Sequence, residues 1–265
     1  MEDKDYQQIL LDILENRDCK NIQRFRLEDN SCVWIRKASQ RNLTVSSILG
    51  GIISALGLPM LTPNNRSGED SLSDEVSRLT ELADDGFIVP KAIAVRYQNP
   101  AGIMTADLGN GGYLRSLDDV LKSIVAEEKD PLPIWSQGVR ALFELHQKNQ
   151  YLGNAYCSNM AQMPDHRWAY FGFQDDPMNR MDLTSCQVRD CIFFIQSTAH
   201  YFNKNELKEA QEFWAETHQQ YTPETAEALE KTIRRIKLIK IFTPIASLMG
   251  CRNINSSLRF MNGLL

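Results

Sequence analysis

The chain sorts its secondary-structure signals by position. Strand-type runs crowd the first 107 residues, and helical periodicity takes over from about residue 116, interrupted by one short aromatic run. A strands-then-helices order excludes an alternating β/α layout and leaves an α+β fold of two segregated lobes. Between them stands Leu108-Gly109-Asn110-Gly111-Gly112, whose glycines suit a flexible connector. The expected lobes are therefore residues 1–109 and 110–265.

Within the first lobe, Tyr6, Ile9, Leu10, Ile13 and Leu14 fall on one face of a predicted helix over 3–16. Two strands follow, 22–27 and 31–38, joined by a Glu-Asp-Asn-Ser turn. The apolar segment from Val45 to Leu58 holds Gly50-Gly51, but no lysine follows at the spacing of a phosphate-binding loop. Ser71-Leu72-Ser73-Asp74 reads as a helix cap with Glu75 in the first turn. Leu72, Val76, Leu79 and Leu82 supply that helix's buried stripe, and Gly86 ends it. Strands are expected over 92–97 and 103–107, turned at Asn99-Pro100. The second lobe reads as helices over 116–127, 134–150, 183–203, 204–220 and 223–241, then a tail with Pro244 and Gly250.

Composition narrows the class. A net charge of −5 supplies no whole-chain field for nucleic acid, so no nucleic-acid partner is expected. Cysteines at 19, 32, 157, 186, 191 and 251 form no CxxC pair and have no histidine at metal spacing. That scatter is the pattern of reduced thiols in a cytoplasmic protein. The first twenty residues mix charged and apolar side chains, unlike a secretory signal. The most apolar run, Ile48 to Leu61, falls short of the ~20 residues a spanning helix needs. A soluble intracellular chain is the expectation.

The richest stretch runs from Leu145 to Pro177. A helix end at Leu145-His146 gives way to a polar loop with asparagines at 154 and 159. An aromatic strand from Trp168 to Phe173 then leads into Gln174-Asp175-Asp176-Pro177. Two short polar side chains five residues apart, followed by a strand ending in acids, are how phosphoryl-transfer sites present a base and metal ligands.

Read in order, VWIRKA (33–38), the segment 56–90, MTADLG (104–109), the loop 145–159, YFGFQDDP (170–177) and VRD (188–190) resemble the protein-kinase-like fold. More narrowly, the series is similar to a bacterial kinase family related to lipopolysaccharide kinases and to the small kinase of the tRNA-modifying KEOPS complex. The resemblance implies a two-lobed architecture, a small β-rich lobe and a helical one, with ATP as ligand. It puts the phosphate-binding strand cation at Arg36, with Lys37 one place on and so on the opposite face. It matches the helix glutamate to Glu75, the metal-binding asparagine of the loop to Asn159, and the loop-supporting helix acid to Asp190. The catalytic base position falls at Asn154, a neutral amide, and the metal aspartate position at Gly172. These two replacements remove the main reason to expect Mg²⁺, unless Asp175 and Asp176 build a shifted metal site with Asn159. Residues 24–31 contain no glycine, so a Gly-rich nucleotide lid is missing.

Three functional readings follow. In the first, the chain is a pseudokinase, a nucleotide-sensing or regulatory module that works through a protein partner. In the second, it is an atypical phosphotransferase acting on a lipid sugar, a small molecule or a protein, using Arg36, Glu75, Asn159 and Asp175 or Asp176. In the third, residues 231–246, with Lys231, Arg234, Arg235, Lys237 and Lys240 beside Ile233, Ile236, Leu238, Ile239 and Phe242, form a basic amphipathic surface for a partner or for the inner face of the membrane.

Overall fold

Asp5 starts the first helix, α1 (Tyr6–Glu15), because its side chain accepts the otherwise unpaired N–H groups of Gln7 and Gln8. The computed structural model describes residues 5–16, 20–38, 54, 57–62, 68–109, 111–239 and 254–264. The 45–58 segment, with Gly50-Gly51, lies for the most part outside them, as do residues 240–253. The chain is α+β and forms two compact units.

The first unit holds the described residues of Met1–Ser47, Asn64–Leu114 and Tyr170–Asp176. Its sheet pairs β1 (Ile22–Arg26), β2 (Cys32–Lys37), β3 (Ala92–Arg96) and β4 (Gly102–Ala106) in the order β1-β2-β4-β3, antiparallel throughout. Alternation along β2 turns Val33 and Ile35 to one face. There they meet Leu10 and Leu14 of α1, together with Ala94 and Met104. Gly102 permits that closeness, since a Cβ on it would stand 2.7 Å from Leu14 and 2.8 Å from the Arg36 carbonyl oxygen.

Helix α2 (Glu69–Asp84) starts earlier than its apolar stripe suggests. Gly68 occupies the cap position without a side-chain bond, and Glu69 and Asp70 place negative charge at the positive end of the helix dipole. The expected cap at Ser71 is therefore corrected. Ser71 sits inside the first turn, its hydroxyl donates to the Gln174 carbonyl oxygen, and Glu75 falls in the second turn. At the other end Gly86, at φ 84°, permits the Phe87 N–H to reach back to the Leu82 carbonyl.

The Gly-rich connector after β4 is pinned rather than loose. Asp107 accepts from the Gly111 N–H, from Trp34 Nε1 and from Arg24, and Arg24 also donates to the Gly112 carbonyl. Burial pushes the Asp107 carboxyl up, but these donors outweigh it and hold the group below its ordinary value.

The second unit is helical: α3 (Leu117–Ala126), α4 (Leu132–Gln147), α5 (Leu183–Thr198), α6 (Lys204–His218), α7 (Pro223–Ile239) and α8 (Ile254–Asn262). Capping boxes open α3 (Ser116 with Asp119) and α6 (Asn203 with Glu206). Its core gathers round Trp135, whose ring lies 5.1 Å from Phe202, 5.8 Å from Phe260 and 6.3 Å from Trp214. Trp135 Nε1 donates to the Thr198 hydroxyl.

Three expectations change here. The helix predicted to reach 203 ends at Thr198 and tightens into a 3₁₀ turn over Ala199–Tyr201. The Trp168–Phe173 strand shrinks to β6 (Trp168–Tyr170), paired with β5 (Met160–Gln162), because Gly172 takes a left-handed φ of 84°. The tail carries α8, whose Phe260 is buried. Among the described residues no helix is long and apolar enough to cross a membrane.

Candidate functional site

In the first unit, strand alternation sends Arg36 to the face opposite Val33 and Ile35. There its guanidinium pairs with the Glu75 carboxyl of α2, each side chain only 10% exposed. An ion pair this shielded contributes modestly while intact, but losing one member leaves a buried charge. Lys37 lies on the other face, where its Nζ donates to the Asn16 carbonyl oxygen that ends α1. Arg36 and Glu75 are thus brought together, and Lys37 is directed elsewhere. The same unit carries the acidic segment after Gly172. Ser71 holds its backbone at Gln174, Asp175 is buried and Asp176 is half-buried.

In the second unit the loop between α4 and β5 is supported by α5. This helix is buried on almost every side, so its polar residues need internal partners. Gln187 Nε2 donates to the carbonyl oxygens of His146 and Gln150, at 3.0 and 3.2 Å. Arg189 Nε donates to Gly153 O at 2.8 Å. Asp190, fully buried, accepts the Leu152 N–H at 2.6 Å and faces His146 Nε2 at 3.3 Å. The loop then folds on itself: the Tyr156 N–H and the Asn159 side-chain amide both donate to Asn154 O, at 2.8 and 2.9 Å.

A buried relay continues from Asp190. His146 Nδ1 lies 2.7 Å from Tyr221 Oη, and Tyr221 Oη lies 3.5 Å from Cys191 Sγ. Burial pushes the Cys191 thiol up to about 12 and the Tyr221 hydroxyl well above its ordinary value, so both stay protonated at neutral pH. Cys191, Tyr221, His146 and Asp190 are thus chained by heavy atoms at hydrogen-bond distance. At the far end of the loop, Cys157 N–H donates to the Ser197 hydroxyl, and Asp118 accepts from Tyr201 Oη at 2.5 Å.

Gly172 has no side chain to offer a ligand, and its left-handed backbone is one that glycine adopts freely. The Asn159 amide nitrogen donates to Asn154 O, a bond that does not use Oδ1, the atom an asparagine offers a cation. Among the described residues no group of three or more His, Cys, Asp or Glu side chains is arranged to hold a metal ion.

Sequence reasoning singled out the Arg189-Asp190 pair but missed Gln187 and Tyr221. The signal for Gln187 was present. Polar side chains at 187, 189 and 190 interrupt an otherwise apolar helix, and side chains so placed must serve buried backbone. Tyr221 could not be found this way, because it sits between α6 and α7 and meets His146 only through tertiary packing.

The side chain at 154 is a carboxamide, which has no useful basicity near neutral pH. No protein-family model matches the chain, and no curated protein matches it.

Proposed function

We propose that the chain is a degenerate member of the two-lobed protein-kinase-like fold. It acts as a nucleotide-sensing, regulatory module that works through a protein partner in the cytoplasm. The observation that carries this reading is the support under residues 146–153. Three buried side chains, Gln187, Arg189 and Asp190, fix the backbone of a loop whose next residue is a neutral amide, Asn154. Buried polar support of this kind is retained where loop geometry matters. With Asn154 and Gly172 in place, that geometry serves binding rather than proton transfer. The shielded Arg36–Glu75 pair supports the same reading, since an arginine fork can hold phosphate oxygens without a metal.

Thermal unfolding with ATP, with and without Mg²⁺, tests it. Binding to the native state raises the melting temperature by mass action, about 2.7 kcal/mol of stabilisation at a hundredfold excess over Kd. The expected result is a rise that does not need Mg²⁺ and that disappears in Arg36→Ala, scored as the nucleotide-induced shift of each variant against its own baseline. A rise that requires Mg²⁺, with phosphoryl transfer lost in Asn159→Ala, replaces this reading with an atypical phosphotransferase. No rise under any condition removes the nucleotide from the proposal.

A further inference from the structure

Residues 57–62 stand in sequence between β2 and α2, both in the first unit, yet they pack within the helical unit. Leu58 is buried, and Pro59–Leu61 form a single 3₁₀ turn against α5. Two arginines grip the backbone of this segment. Arg235 of α7 donates from Nη1 to Gly57 O at 2.6 Å. Arg189 of α5 donates from Nη1 to Thr62 O at 2.9 Å.

The same Arg189 donates from Nε to Gly153 O, and its guanidinium carbon lies 4.5 Å over the Phe193 ring, which fixes the plane of the fork. A guanidinium is rigid and planar, so one carbonyl cannot shift without re-aiming the donor that serves the other. Arg189 therefore joins the 57–62 segment to the residue immediately before Asn154.

We propose that residues 57–62 form a strap whose attachment sets the conformation of the 152–154 loop, with Arg189 as the positioning residue common to both. The strap has a latched state, in which Arg235 and Arg189 hold Gly57 O and Thr62 O. It also has a released state, in which Arg189 loses its hold on Thr62 O and Gly153 is held more loosely. A ligand or partner that lifts the strap slackens the loop without touching it.

Amide hydrogen exchange on the full chain, without nucleotide, tests the coupling. Leu61 and Thr62 report the strap, since their N–H groups donate to Leu58 O and Pro59 O. Leu152 and Tyr156 report the loop, through bonds to Asp190 and to Asn154 O. Arg235→Ala breaks a bond to the strap alone, and is expected to speed exchange at Leu61 and Thr62 and also, by about three- to tenfold, at Leu152 and Tyr156. Arg189→Lys puts one point donor where two carbonyls need a fork, and is expected to speed both sets. Faster exchange at the strap in Arg235→Ala with Leu152 and Tyr156 unchanged overturns the proposal. If Arg235→Ala unfolds the unit, Thr62→Ala takes its place under the same criterion, because it removes only the hydroxyl bond to Pro59 O. The measurement contains no nucleotide, so its failure leaves the nucleotide-sensing reading standing, and failure of that reading leaves the coupling intact.

Discussion

Replacing Asp190 by alanine removes the acceptor of the buried Leu152 N–H and the polar partner of His146 Nε2. A buried donor left without a partner costs about 1–3 kcal/mol, so the pair and the vacated volume together predict a loss of about 3–5 kcal/mol. That is a third or more of the ~5–15 kcal/mol by which most domains are stable. Asp190→Asn can keep the one oxygen that meets both Leu152 and His146, and is expected to cost about 1–2 kcal/mol because the amide brings new donors into a fully buried place. Urea unfolding followed by tryptophan emission is the assay, since Trp135 and Trp214 stand 6.3 Å apart in the core of this unit. An alanine variant that loses less than about 1 kcal/mol refutes the claim that Asp190 supports the loop. An asparagine variant as unstable as alanine refutes the claim that an acceptor at this point is what matters.

Three further outcomes are expected. Arg36→Ala and Glu75→Ala each leave a buried charge and should cost about 3–5 kcal/mol, while the double variant costs less than their sum; additive losses in thermal unfolding would show the two residues uncoupled. Asp107 has a carboxyl held below its ordinary value, so its contribution is present above the unfolded-state pKa and is lost as pH falls through the lower folded-state value. Asp107→Asn should therefore lower the melting temperature at pH 7 and change it little at pH 2, and an equal loss at both would contradict the donor arrangement. Among the described cysteines, half-buried Cys32 should react with iodoacetamide first. Buried Cys157 and Cys191, both pushed up to about 12, should label only on unfolding, which peptide mass spectrometry resolves.

The helical periods and the strand alternation lie in the sequence, because both are local: Leu10 and Leu14 share a face of α1 whatever they pack against, and Val33 and Ile35 share a face of β2. Alternation likewise separates Arg36 from Lys37 without reference to any other element. The start of α2 was harder to read. Its first turn is polar, and the Ser71 hydroxyl is claimed by Gln174, about a hundred residues away in sequence. The connector at 108–112 looked flexible because glycines permit many conformations. Only the donors gathered on Asp107 select one. The aromatic run at 168–173 looked like a longer strand because residue type does not reveal where Gly172 turns left-handed.

Tertiary structure alone decided which polar side chains of α5 hold which backbone atoms. Nothing in the order of residues 187–190 says that Arg189 serves both Gly153 and Thr62, or that Tyr221 closes a relay through His146 to Asp190. Those bonds join segments separated by tens of residues, and the need to satisfy each polar group buried with α5 is what selects them. What the sequence determined by itself was the set of side chains present, above all that a neutral amide stands at 154 and no side chain at 172. Packing decided that the loop leading to 154 is held in place all the same.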